Sequence, residues 1–250
     1  MADPSYSMPG GRQPVRSKRE LEILLETVRE FEGPKIGYEQ YRLPAQLAAE
    51  VIWYIEMRHR DIQGKRIVDL GCGTGMLTAG AALMGADYVV GVDIDAGSIL
   101  KAREACRMLA LAPVVDFVNA EVSQLELDAD VVVQNPPFGV RVRGADRAFI
   151  RKSLEIAPRV YSIHKGGEAV MGFVSAFVVE CGGRVDEIIP LKIKLSPTYH
   201  FHKKRSYAFE AHLFRIVRGG KGRHVKNRED SYPRGEARGH RGVYDGERRV

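Results

Sequence analysis

The chain has 250 residues, 44% hydrophobic and 28% charged, with a formal net charge of +6. That length suits one α/β domain with a full core and a tail to spare, and the composition is that of an ordinary globular protein. No apolar run reaches membrane-span length, the polar residues 1–11 do not resemble a signal peptide, and the cysteines Cys72, Cys106 and Cys181 are too scattered for a zinc site or a disulfide framework, so a reducing cytoplasm is the expected setting. The positive charge is uneven: residues 218–250 carry ten Lys/Arg against five Asp/Glu, together with seven glycines. Such a tail is expected to be disordered on its own, and it suits either a nucleic-acid backbone or simple solubilisation. The expected division is a flexible N-terminus over 1–17, one domain over 18–217, and the basic tail over 218–250.

In chain order, leucines and isoleucine at helical spacing predict a helix over 18–31, ended by Gly33-Pro34. A loop with Tyr38-Glu39-Gln40-Tyr41 follows. A second helix starts near Pro44 and is apolar from Ala48 to Met57. Alternation then begins, with strands at 66–70, 88–93, 114–119, 130–134 and 159–164. Helices are expected at 74–83, 96–109, 146–157 and 166–181. Two longer strands, 184–195 and 206–217, close the pattern without a helix between them. The reading is an α/β fold: a mostly parallel sheet covered on both faces, with an antiparallel hairpin at one edge.

The first strand runs into Asp69-Leu70-Gly71-Cys72-Gly73-Thr74-Gly75 and then Met76 at a helix start. Glycines at that spacing let backbone approach a ligand closely or adopt positive φ. A dinucleotide fingerprint G-x-G-x-x-G would need glycine where Met76 stands. An acid ahead of G-x-G-x-G suits instead S-adenosylmethionine (SAM), whose ammonium and sulfonium favour a nearby carboxylate. Asp93, with Ile94 beside it, ends the second strand where ribose hydroxyls would be accepted. Glu121, followed by Val122, stands where an adenine amine would be met. Gln40, Tyr41 and Leu43 precede the domain proper and are candidates for a loop over the cofactor. Taken singly, each acid reads as a turn or helix-cap residue, as Asp95 does; the combination at one strand–helix–strand spacing is what selects SAM.

A further apolar strand ends in Asn135-Pro136-Pro137-Phe138. Asn135 offers a side-chain oxygen, Pro136 a backbone carbonyl, and the prolines fix φ so that both acceptors stay aimed at a planar amide or amine. Phe138 offers a face for stacking a base. The chemistry expected is methyl transfer to an amino nitrogen. His200-Phe201-His202-Lys203-Lys204-Arg205, between the last two strands, has the composition of an RNA contact. His164 and Lys165 end the fifth strand at the sheet edge where such folds bind ligands, and Arg141, Arg143 and Arg147 follow the Asn-Pro-Pro-Phe stretch. Singly, these are solvated charges.

Several stretches occur together in order: Glu39-Gln40-Tyr41, Asp69-Leu70-Gly71-Cys72-Gly73, Gly91-Val92-Asp93-Ile94-Asp95, Asn135-Pro136-Pro137-Phe138-Gly139, Tyr161-Ser162-Ile163-His164-Lys165 and Tyr199-His200-Phe201-His202-Lys203-Lys204. The string resembles the methyltransferase-like protein five family and its archaeal relatives, over roughly residues 18–217. The resemblance implies a seven-stranded class I methyltransferase fold that methylates N6 of one adenosine in small-subunit ribosomal RNA. It implies SAM contacts at Gln40, Gly71, Thr74, Asp93 and Glu121 and base binding at Asn135 through Phe138. It also implies a small zinc-binding activator subunit, which eukaryotic members pair with. Two positions depart from the family pattern: Leu43 stands where threonine is common, and Glu121 where aspartate is. A protein-glutamine N5 methyltransferase acting on a translation release factor is the alternative enzyme, since a glutamine amide fits the same acceptor pair. An RNA-binding scaffold without turnover is the non-enzymatic one.

Overall fold

The computed structural model describes residues 15–28, 43–137, 145–194 and 208–219. A seven-stranded sheet in the order β3-β2-β1-β4-β5-β7-β6 forms its centre. The strands are β1 Arg66–Leu70, β2 Tyr88–Asp93, β3 Val115–Asn119, β4 Val131–Gln134, β5 Arg159–Lys165, β6 Gly183–Lys194 and β7 Ala208–Arg218. Strands β3, β2, β1, β4 and β5 pair in parallel, whereas β7 runs against both β5 and β6. The final hairpin therefore closes one side of the sheet with β7 inside and β6 outside.

The innermost strands are apolar because both their faces are covered. In β1, Ile67 meets one core while Val68 and Leu70 meet the other; in β4, Val131 and Val133 face the first and Val132 the second. Helices α1 Lys18–Leu25, α2 Ala45–His59, α3 Met76–Leu83 and α4 Ala96–Met108 pack on the first face. Helices α5 Ala145–Ile156 and α6 Glu168–Glu180, with a short 3₁₀ turn at Val122–Gln124, pack on the second. The connections change face between β1 and β4, and the carboxyl ends of these two strands are where a sheet of this kind opens a crevice.

Boundaries differ from the sequence expectation where local chemistry decides them. Helix α1 stops at Leu25 because the chain tightens there: Thr27 N–H and hydroxyl both donate to the Leu24 carbonyl, at 3.2 and 2.7 Å. Helix α3 starts at Met76 rather than Thr74, since Gly73 and Gly75 hold φ of 54° and 83°. Strand β7 continues past Val217. Arg218 donates its N–H to the Pro158 carbonyl at 2.9 Å and Gly219 donates to Gly182 at 3.0 Å, so the folded unit outruns the expected 217 boundary.

At the amino ends of the parallel strands a closed polar network ties α2 to the sheet. Buried Asp61 accepts from Arg159 Nη1 and Tyr161 Oη, both at 2.7 Å, and lies 3.7 Å from Arg215 Nη2. Arg215 Nε donates to Tyr161 Oη at 3.0 Å, and Tyr54 Oη donates to Glu187 at 2.7 Å. A bulge between Val185 and Glu187 brings Asp186 to Arg215. Among the described residues no helix is long and apolar enough to cross a membrane.

Candidate active site

The glycine loop is fastened at three points. Gly71 and Cys72 donate their N–H groups to the Val92 carbonyl at 2.8 and 2.9 Å. Gly73 N–H donates to Asp93 Oδ2 at 2.8 Å, while Asp95 N–H donates to Asp93 Oδ1 at 2.8 Å. Asp69 Oδ2 accepts from the Thr78 N–H at 2.9 Å and its hydroxyl at 2.6 Å. Gly75, the N-cap residue of α3, has no side chain to satisfy the helix's first amides, so the preceding strand supplies the cap.

Asp69 itself is held inside the fold. At 1% exposure it does not line a surface, and its anchored oxygen serves the helix. Burial pushes its pKa up to about 7 despite the two hydrogen bonds from Thr78, and its Oδ1 is buried without a partner. Asp93 is only partly buried, and desolvation raises its pKa too. Each of its oxygens accepts from backbone, which leaves lone pairs over for ribose hydroxyls. Beside it Ile94 is 54% exposed, a large apolar side chain placed at the carboxyl edge. Glu121 is exposed beyond β3, with Ser123 Oγ donating to it at 2.8 Å. Cys72, Thr74 and Val122 are buried, so only their backbone is offered to a ligand, and Met76 and Leu43 pack against the first core.

Strand β4 runs beside β1 with Leu70 opposite Gln134, so Gly71 and Asn135 emerge side by side. Asn135 Oδ1 is buried and has no hydrogen-bond partner. Pro136 is buried and Pro137 partly so. Phe149 of α5, not foreseen from the sequence, touches the loop here. A Cβ on Gly71 would lie 2.9 Å from Phe149 Cε1, and φ of +70° would strain any other residue. The only signal in the sequence was an aromatic next to the Ile150/Leu154 stripe of α5.

Behind Asn135 lies a polar chain. Gln134 Nε2 donates to Ser162 Oγ at 2.9 Å, and Ser162 Oγ sits 2.7 Å from His164 Nε2. The Ser162 hydroxyl can accept from the amide and still either donate to or accept from the imidazole, according to its tautomer. Burial pulls the His164 pKa down to about 4, which keeps the ring neutral. His164 is 4% exposed and meets the Phe214 ring edge-on, on the strand next to β4. Lys165, by contrast, ends β5 partly exposed.

Gln40, Tyr41, Phe138, Arg141, Arg143 and His200, Phe201, His202, Lys203, Lys204 and Arg205 fall outside the described residues. The strands flanking the last of these are in place, with Lys194 opposite Ala208 beyond the Lys165–Ala211 pair, at the same sheet edge as Asn135.

The residues present fit SAM: positive-φ glycines bare the loop backbone, the exposed Ile94 neighbours Asp93, and an orphaned amide oxygen belongs to the residue that follows β4 beside the loop. Residues 54–171 match the Methyltransferase small domain family. The Drosophila melanogaster rRNA N(6)-adenosine-methyltransferase Mettl5 is 36% identical, with 80% of this chain and 96% of the fly protein aligned. The Danio rerio METTL5 of the same description is 34% identical over 80% of this chain and 98% of its own. Among solved structures, a Pyrococcus horikoshii protein to which RNA methyltransferase activity is ascribed superposes with a TM-score of 0.73 at 34% identity, covering 82% of this chain and 99% of that one. The chain thus belongs to the methyltransferase-like protein five family and is a class I SAM-dependent methyltransferase.

Proposed function

We propose that this enzyme methylates N6 of an adenosine in small-subunit ribosomal RNA. The observation that carries the reading is Asn135 Oδ1, a buried acceptor without a partner at the end of β4, next to the first loop glycine. An orphaned acceptor of this kind is costly to keep and marks a place where a donor arrives.

An exocyclic amine is a weak nucleophile because its lone pair is delocalised into the ring. Asn135 Oδ1 and the Pro136 carbonyl accept its two hydrogens, which draws the nitrogen towards tetrahedral geometry and frees the lone pair. Bound SAM supplies an electrophilic methyl group on a sulfonium. Asp93 and Glu121 orient the ribose and adenine of that cofactor, Ile94 covers an apolar face, and Phe149 fixes Gly71 against the catalytic strand. Asn135 is neutral and cannot serve as a general base, so the proton leaves to water after transfer, and the acceleration comes from positioning and fixed dipoles. The target adenosine is unpaired or flipped from its stack, with Phe138 as its stacking partner.

RNA is favoured over a glutamine side chain by the basic 218–250 segment, by the basic-aromatic composition of His200–Arg205, and by the relatives' substrate. Incubating the full chain with SAM and either purified small-subunit rRNA or a release factor decides between them. Mapping should yield one N6-methyladenosine in the RNA; methylglutamine instead would establish the alternative. The proposal includes action in the cytoplasm and a small zinc-binding activator subunit, which co-purification and raised methyl transfer on its addition would reveal.

A further inference from the structure

Among the described residues several exposed cations are held by a carboxylate. Arg19 pairs with Glu22 at 3.0 Å, Arg66 with Asp130 at 3.4 Å, Arg103 with Asp116 at 3.6 Å and Arg184 with Asp186 at 2.6 Å. Arg147 and Arg151 differ. Both are exposed on α5, one turn apart, and neither has a carboxylate within ion-pair distance among the described residues. They lie instead on rings of α6: Arg147 is 5.1 Å from the Phe173 centroid and 5.4 Å from that of Phe177, and Arg151 is 5.8 Å from Phe177. The two rings are parallel, 5° apart in plane and 6.2 Å between centroids. Nearby acids are occupied: Asp146 accepts the Arg147 N–H at 3.0 Å, and Glu155 pairs with Lys152 at 2.6 Å.

We infer that the seam between α5 and α6 is an RNA-docking surface, on which Arg147 and Arg151 hold phosphates of the single-stranded segment leading to the target base. The inference rests on the rRNA reading above. Guanidinium groups lying over aromatic rings still turn N–H groups outward, although Arg151 also hydrogen-bonds Cys181, and the ring contact restrains the long side chains, so less freedom is lost when an anion is gripped. A carboxylate in the same place would neutralise the charge. The position suits the task, because Phe149 on the same helix touches Gly71, and Gly71 neighbours Asn135. Glu180, near the Arg151 end by way of Cys181, bounds the surface on the far side from the site. Phosphate contacts of this kind position the strand without reading its sequence.

The test uses the full chain and purified small-subunit rRNA, with an R147Q/R151Q double variant and R184Q as a control for charge removed elsewhere. The double variant should raise the Kd and KM for rRNA on the order of 10-fold at physiological salt, and flatten the slope of log affinity against log salt by about 1.4, or about 0.7 per contact. SAM affinity should not change. R184Q should leave the slope alone. R147K/R151K keeps the charges and should restore most of the slope, which separates phosphate binding from a loss of folding. Wild-type slope and KM in the double variant, with wild type methylating the rRNA, would overturn this surface alone. No methylation of rRNA by wild type at any salt would instead overturn the substrate reading, and this surface with it.

Discussion

The two edges of the central sheet handle buried polar groups in opposite ways. At the amino edge, Asp61, Tyr161 and Arg215 close on one another and Tyr54 on Glu187, and the leftover buried atoms among the described residues are donors, on Gln63 and Arg159. At the carboxyl edge the leftovers include three acceptor oxygens, on Asp69, Gln134 and Asn135. A folded domain tolerates few such atoms, because each carries a desolvation cost of about 1–3 kcal/mol. Of the three only Asn135 is partly exposed, and its oxygen suits an amine with hydrogens to give. One edge spends its polar groups on holding α2 to the sheet; the other keeps capacity for chemistry.

The largest expected effect breaks the carboxyl edge. Asn135→Ala removes one of two amine acceptors and should lower kcat by a factor of about 100–1,000 while leaving SAM affinity and melting temperature near wild type. If SAM affinity collapses and turnover on RNA persists, Asn135 belongs to the cofactor site and the mechanism above is wrong.

Asp61→Ala attacks the other edge. It leaves Arg159, Arg215 and the Tyr161 hydroxyl without their shared acceptor and should cost about 3 kcal/mol of stability. Where the variant is folded, methyl transfer should match wild type; denaturant titration alongside an activity assay reads both. A loss of activity without a loss of stability would show that the edges are not separate in function.

A smaller, pH-dependent effect isolates Asp69. Its carboxyl titrates near 3.8 when unfolded and at about 7 in the fold, so between these values the native state binds the extra proton. Stability attributable to this group therefore falls as pH rises through that window and is level above it. Asp69→Asn should gain on wild type from about pH 4 to about 7 and no further. A difference between the two that does not vary with pH would place the carboxyl in its ordinary range.

The smallest stability effect should come from ending the chain at Gly219, beyond the last pairings of β7. The melting temperature should hold. Affinity for rRNA should drop with a shallower salt slope, largely independent of sequence. An unchanged slope would leave residues 220–250 without a role in RNA binding.

Much of this was legible in the sequence, because the signals were local. Apolar runs set β1 and β4, positive-φ glycines marked the loop, and Asn-Pro-Pro-Phe announced itself. What escaped depended on register across strands. Ser162 and His164 share a face with Val160 by simple alternation, yet only the β4–β5 pairing shows that Gln134 completes the chain. The role of Asp69 was hidden because its partner Thr78 lies nine residues on, across the whole loop. Phe149 was missed for the same reason: its contact with Gly71 depends on how α5 docks.

The three fastenings of the glycine loop have a thermodynamic consequence. A loop already tied to Val92, Asp93 and, through Asp69, to α3 has given up its conformational freedom during folding, before any ligand arrives. Cofactor affinity is then spared the cost of ordering backbone, about 1–2 kcal/mol for each residue that would otherwise have to be fixed on binding. The heat-capacity change on binding SAM should accordingly be no larger than the ligand's own apolar surface requires.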